Sequence, residues 1–248
     1  MAFPAHTIIG NVHYVGTATL NAYLVTTPQG HILINTNYED TVPLLRASVE
    51  KLGFAFTDIK IVLGSHAHPD HMQADGMVKE LTGGATVMAM EQDVPALKGM
   101  KAPSGRPHPI DRVLKDAEQV SLGGTTLVAR LTPGHTRGCT TWTMRIADGG
   151  RTYDVVIACA GLQEGAQLVN NKAYPEIADD FARSLKTFKS LPADVFLGAH
   201  SWFFDLAGKY TKLGGAANPY VDPGGYKTWV DNQERNYNTT LAAQRKTP

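Results

Sequence analysis

The chain has 248 residues, 43% of them apolar, and 23 basic side chains balance 23 acidic ones. That balance excludes a nucleic acid or acidic membrane recruited by net charge, and no apolar run reaches the length of a membrane span. The two cysteines, Cys139 and Cys159, are too few for a disulfide framework and lack C-x-x-C spacing. Each sits in an apolar, strand-like run and reads as a small buried thiol.

The first residues, Met1-Ala2-Phe3-Pro4-Ala5-His6, have neither a basic start nor an apolar core, so they predict no signal peptide. Residues 12–15, 20–27 and 31–35 are β-rich runs broken by Gly16 and by Pro28-Gln29-Gly30. Apolar residues at 42, 45, 49 and 52 predict a helix over 41–53, stopped by Gly53. Ile59-Lys60-Ile61-Val62-Leu63 reads as a buried strand, 73–81 as a helix and 85–90 as another strand. Gly99, Pro103, Gly105, Pro107 and Pro109 make 99–111 a loop. Strand-like runs recur at 118–122, 125–132, 139–147 and 152–159, the last two joined by a hairpin turn at Asp148-Gly149-Gly150. A helix over 176–190, a short strand at 194–197, a Gly/Pro-rich loop over 208–225 and a helix over 226–245 complete the chain. No composition shift or repeat divides it, so one domain over 1–248 is expected. The element order predicts an α/β (α+β) fold of two sheets flanked by helices.

His66-Ala67-His68-Pro69-Asp70-His71 follows the strand at 59–63 and packs four potential metal ligands into six positions. Such a cluster at a strand end needs many hydrogen-bond partners, and a metal satisfies them together. In extended backbone, His66 and His68 face the same way and can chelate one ion. Pro69 fixes its own φ and keeps His68 out of the helical region, so Asp70 and His71 can point to a second ion. Two further histidines also lie just past short β runs, His135 in Pro133-Gly134-His135-Thr136 and His200 in Gly198-Ala199-His200. Taken alone, each is an ordinary loop residue; taken with the cluster, each completes a site. His66, His68 and His135 can hold one ion with an open fourth position, as a catalytic zinc requires, and Asp70, His71 and His200 can hold the second. This donor set favours zinc, although iron or manganese would also bind. His6, His13, His31 and His108 lack such placement and read as structural or surface residues.

These residues resemble the metallo-β-lactamase superfamily, whose signature is His-x-His-x-Asp-His. The segment from Leu131 through His135 to Trp142 and the segment Phe196-Leu197-Gly198-Ala199-His200 are similar to those of the third subclass (B-three). Val12-His13-Tyr14-Val15-Gly16, Leu52-Gly53-Phe54 and Pro219-Tyr220-Val221 extend the likeness over nearly the whole chain. The resemblance implies a four-layer αββα sandwich with a site for two Zn2+ ions at one edge, between the sheets. Related thioesterases and lactonases carry a bridging Asp after the strand that ends here in Ala158-Cys159-Ala160-Gly161. Its absence, with Ala160 at the matching position, and the presence of His71 favour a β-lactamase. Cys159 remains an alternative ligand at that strand end. Asn35 stands where relatives place an early Asp.

The function so implied is hydrolysis of the β-lactam amide of penicillins, cephalosporins or carbapenems by a metal-bound hydroxide, oriented by Asp70 as the catalytic carboxylate. Gln163, Asn170, Asn171 and Lys172 are candidate anchors for the substrate carboxylate, and Trp202 a candidate pocket wall. The alternatives are a lactonase or thioesterase of the same fold, or a zinc-binding scaffold without turnover. The expected partner is a small β-lactam, with neither nucleic acid nor membrane. A monomer is expected, with the oligomeric state left open by the sequence. The resemblance implies a periplasmic or secreted enzyme of antibiotic resistance, with a cytoplasmic location as the alternative.

Overall fold

A computed structural model of the chain describes residues 1–246. Seven strands form one sheet in sequence order: β1 (His6–Ile9), β2 (Val12–Tyr14), β3 (Tyr23–Thr27), β4 (Gly30–Ile34), β5 (Ile59–Leu63), β6 (Thr86–Met90) and β7 (Arg112–Leu114). Five more, β8 (Gln119–Leu122), β9 (Thr125–Leu131), β10 (Thr140–Asp148), β11 (Arg151–Ala158) and β12 (Val195–Gly198), form a second sheet in the order β12-β11-β10-β9-β8. The meanders pair antiparallel, whereas β4 to β7 and the β11–β12 pair run parallel across helical crossovers.

The two-residue period of each strand decides what its faces meet. Ile32, Ile34, Ile61 and Leu63 belong to one apolar core with Leu127, Ala129, Trp142, Met144, Val155 and Ile157 of the second sheet. The alternate residues Leu33, Val62 and Val87 pack against Val42, Leu45 and Val49 of α1 (Val42–Lys51) and Val78 of α3 (Asp75–Leu81). On the far side of the second sheet, Phe196 meets Trp229 of α7 (Pro223–Gln244), which in turn meets Phe188 of α5 (Ile177–Ser190). Helices therefore cover both outer faces, the helix–sheet–sheet–helix order the sequence suggested.

Several elements differ from the expected ones. The helix expected over 73–81 is α3, and a separate short helix, α2 (Pro69–Met72), precedes it with His71 inside. β1, β7, α4 (Val94–Gly99) and α6 (Leu206–Tyr210) fall where no period was evident, being only three to six residues long. α7 starts inside the Gly/Pro-rich stretch because Asp222 accepts the Gly225 N–H at 2.8 Å and Pro223 fits a first helical position.

The cysteines are a correction. Cys139 and Cys159 are not thiols but a disulfide, with Cα atoms 5.8 Å apart, so Cys159 is no ligand. The hairpin explains the pairing: Asp148 faces Arg151 across Gly149-Gly150, and Trp142 faces Ile157. A few residues on, at the open end of that ladder, the cysteines come side by side. The bond closes a loop with a sequence separation of 20 residues. Replacing both cysteines by serine is therefore expected to lower unfolding free energy by about 3 kcal/mol, read from denaturant midpoints of oxidised wild type and variant.

The sheets are also tied together by hydrogen bonds where β5, β10 and β12 meet. Thr140 N–H donates to the Ser65 carbonyl at 2.7 Å, and Trp142 Nε1–H to the Gly64 carbonyl at 3.0 Å. The Gly198 carbonyl accepts from Tyr23 Oη at 2.6 Å and from Asn21 Nδ2 at 2.7 Å. These ties fix the strand ends from which the predicted ligand residues project.

Candidate metal centre

His66, His68, His135, Asp70, His71 and His200 come from three loops, past β5, β9 and β12, and meet in two groups. Within each group of three the candidate ligand atoms all lie within 4.8 Å of one another. His135 Nε2 is 3.2 Å from His68 Nδ1. In the second group His71 Nε2 lies 3.3 Å from His200 Nε2 and 3.2 Å from Asp70 Oδ2. Donors bound at 2.0–2.1 Å around a tetrahedral zinc are separated by about 3.3 Å, the spacing seen here. The groups adjoin, with the His66 and His71 ring centroids 4.2 Å apart.

Hydrogen bonding alone leaves this arrangement unsatisfied. His66 Nε2 is buried with no hydrogen-bond partner, while its Nδ1 lies 3.1 Å from Ser65 Oγ. Nδ1 of His200 faces the Thr19 carbonyl at 3.4 Å, an acceptor that favours a proton there and a lone pair on Nε2. The donor chemistry and the orphaned His66 nitrogen therefore fit a divalent ion in each group.

Comparison with known proteins gives the same direction. The family model described as the metallo-beta-lactamase superfamily matches residues 16–200. The chain belongs to this superfamily. Among solved structures, the native FEZ-1 metallo-beta-lactamase from Legionella gormanii is 45% identical, with a TM-score of 0.93 over 99% of this chain and 98% of that one. BJP-1, a subclass B3 metallo-beta-lactamase of Bradyrhizobium japonicum, is 34% identical, with a TM-score of 0.90 over 98% of this chain and 96% of that one. The curated relative hydroxyacylglutathione hydrolase from Hyphomonas neptunium is 29% identical over 68% of this chain, and the match spans 57% of that relative's length.

In this superfamily member the loops around the imidazoles are held by buried polar contacts. Thr36 and Asn37 donate backbone N–H groups to the His71 carbonyl at 2.9 and 3.0 Å. Asn35 has a left-handed φ of 66°, which an Asn tolerates, and its Oδ1 accepts the Ser65 N–H at 2.8 Å. Thr36 Oγ1 donates to Asp75 Oδ1 at 2.6 Å, and the other Asp75 oxygen lies 3.0 Å from His108 Nε2. His108, read from sequence as structural or surface, is thus buried behind the site. Asp93, which no sequence signal singled out, accepts from Ala67, Thr136 and Gly138 beside the candidate ligand histidines. Its place before Val94-Pro95 gives it the look of a helix cap.

A cavity of about 750 Å³ opens over the centre, lined by His66, His68, Asp70, His135 and His200 and rimmed by Tyr38, Gln163, Glu164, Trp202, Asn232 and Gln233. Gln163 and Trp202 are therefore at the cavity. Asn170, Asn171 and Lys172 are not among its lining residues. Asn171 Oδ1 accepts the Ala173 and Tyr174 N–H groups, and the Asn170 carbonyl accepts from Gln167, so both belong to an outer turn. Tyr38, Asn232 and Gln233, distant in sequence from Gln163, also reach the rim. Trp202 is 64% exposed, its ring stacked on His200 with centroids 4.2 Å apart and planes 14° apart.

Burial sets the electrostatics. It pushes His135 down to about 3 and His200 to about 4, with neighbouring imidazoles adding to the effect, and holds His66 well below the ordinary value. For Asp70, burial acts upward, but the His71 hydrogen bond and the charges of His71 and His200 prevail and hold it at about 2. At neutral pH the site thus presents uncharged imidazoles at His66, His135 and His200 beside an ionised Asp70. The depressed imidazoles bind protons more weakly folded than unfolded, so their contribution to stability is full above about 6.5 and declines as pH falls toward 3–4. Chelator-treated protein should therefore show a melting temperature that falls steadily from pH 7 to pH 4, and His135→Ala should flatten that slope.

Proposed function

We propose that the protein is a zinc-dependent β-lactamase. The observation that carries this reading is the convergence of five imidazoles and one carboxylate into two groups whose candidate donor atoms lie within 4.8 Å of one another, in a chain 45% identical over nearly its whole length to a metallo-beta-lactamase. His66, His68 and His135 would hold one zinc, and Asp70, His71 and His200 the other. When bound, the ions would polarise the lactam carbonyl and lower the pKa of a shared water to about 7.

The protein's own groups do the rest. Asp70, ionised at neutral pH, accepts a hydrogen bond from the attacking water and orients it toward the carbonyl. The half-open cavity admits a bicyclic substrate, and Gln163, Asn232 and Gln233 offer side-chain amides to its carboxylate. Trp202 supplies an apolar wall for the side chain of the antibiotic. The disulfide suits an oxidising compartment, which favours a periplasmic or secreted enzyme and a role in antibiotic resistance.

The second reading is thioester hydrolysis, favoured by the hydroxyacylglutathione hydrolase relatives. The strand end that follows β11 argues against it. Cys159 is paired with Cys139, and Ala160 and Gly161 line the cavity without a carboxylate to bridge two ions.

Hydrolysis of a chromogenic cephalosporin is expected to vanish on thorough chelation and return with added zinc. His135→Ala should lower kcat/KM by about 100-fold or more, since loss of a ligand exceeds the usual effect of its outer partners. In a parallel panel, S-lactoylglutathione and a homoserine lactone should turn over at least about 100-fold less efficiently than the cephalosporin; preference for the thioester would establish the second reading, and preference for the lactone would overturn both.

A further inference from the structure

Two loops supply the three-imidazole group, and the buried side chain of Asp93 is hydrogen-bonded to both. Asp93 is 3% exposed. Its Oδ2 accepts the N–H of Ala67, the residue between His66 and His68, at 2.8 Å. The same oxygen accepts the hydroxyl of Thr136, the neighbour of His135, at 2.9 Å, and Oδ1 accepts the Gly138 N–H at 2.7 Å. Asp93 stands at the N-terminal boundary of α4, where an Asp commonly caps the helix, yet its side chain makes no capping bond. The carboxylate is turned away from its own helix and toward the two histidine loops.

The loops are shaped to receive it. A Cβ on Gly138 would lie 2.5 Å from the Asp93 backbone nitrogen and 2.6 Å from its Cβ, so only glycine permits this approach. A charged acceptor with three donors makes stronger, shorter bonds than a neutral one, and burial removes competing water. The separation of His68 Nδ1 and His135 Nε2, 3.2 Å, is thus spanned on its outer side by one rigid group.

We propose that Asp93 is a positioning residue that sets the spacing of His66 and His68 against His135 and so tunes the affinity of the three-imidazole site, without touching ion or substrate. The inference rests on the metal-centre reading. It assigns Asp93 to that group alone, since its hydrogen bonds reach the His66–His68 and His135 loops but not Asp70, His71 or His200.

The test measures zinc affinity by competition with a chromogenic chelator, in two backgrounds that isolate each site. His200→Ala leaves the three-imidazole site intact, and His135→Ala leaves the other. Asp93→Asn keeps the shape but turns an amide N–H2 toward a donor that the carboxylate had satisfied. In the His200→Ala background it is expected to weaken zinc binding about 10- to 100-fold. In the His135→Ala background the change should stay within about threefold. Thr136→Val removes one donor with little disturbance of the fold and should act in the same direction, more weakly. Equal losses in both backgrounds would mark a general loosening and overturn the inference, as would unchanged affinity in the first. If Asp93→Asn does not fold, Thr136→Val decides by the same comparison between backgrounds. Wild-type protein that takes up no zinc would instead overturn the metal-centre reading, and this inference with it.

Discussion

Lone pairs from five imidazoles and the charge of one carboxylate are aimed into a space a few ångströms across, and the rest of the structure must hold them there. Left to themselves, such groups would turn outward to water, because a buried nitrogen without a partner costs free energy. His66 Nε2 is the clearest case: buried, unpartnered, and directed where the other rings converge. A divalent cation removes that cost in one step, which is why the donor set and the burial have to be considered together. Without it, the fold carries a local destabilisation that its surroundings must offset.

The offset comes from the borders between elements. Hydrogen bonds link Ser65 to Thr140 and Gly64 to Trp142, while Tyr23 and Asn21 hold the Gly198 carbonyl. From the end of β4, Thr36 and Asn37 restrain the His71 segment and Asn35 the Ser65 segment. Most of these bonds connect one sheet or loop to another, so the centre depends on the sandwich being assembled, and its geometry is a tertiary property. The Cys139–Cys159 bond lies at the same edge. Cys159 Sγ is 3.5 Å from His66 Nδ1, and its bond to Cys139 leaves no thiolate there to compete with the imidazoles.

The convergence of the candidate ligands was legible from two cues. His66 to His71 form one short string past an obvious strand, and His135 and His200 each follow a β run. The layered fold was legible from alternating apolar runs and from helical spacing at residues 42, 45 and 49. What escaped depends on contacts between distant parts. Asp93 offers no spacing cue, since its partners lie 26, 43 and 45 residues away in sequence. The disulfide had a signal that went unused: the turn at 148–150 fixes the hairpin register, and counting back along it brings the cysteines together. In the sequence, residues 163 to 172 read as one flanking loop. In the fold, Gln163 stays at the cavity while the later part turns away, held by its own Asx-type bonds.

Trp202 has a consequence that reaches past its role as a wall. Its indole lies flat against His200, while nearly two-thirds of the residue is open to solvent. The other two tryptophans, Trp142 and Trp229, are buried in the apolar interior. One indole ring thus touches the centre on one face and bulk water on the other, surroundings that set it apart from the two enclosed rings.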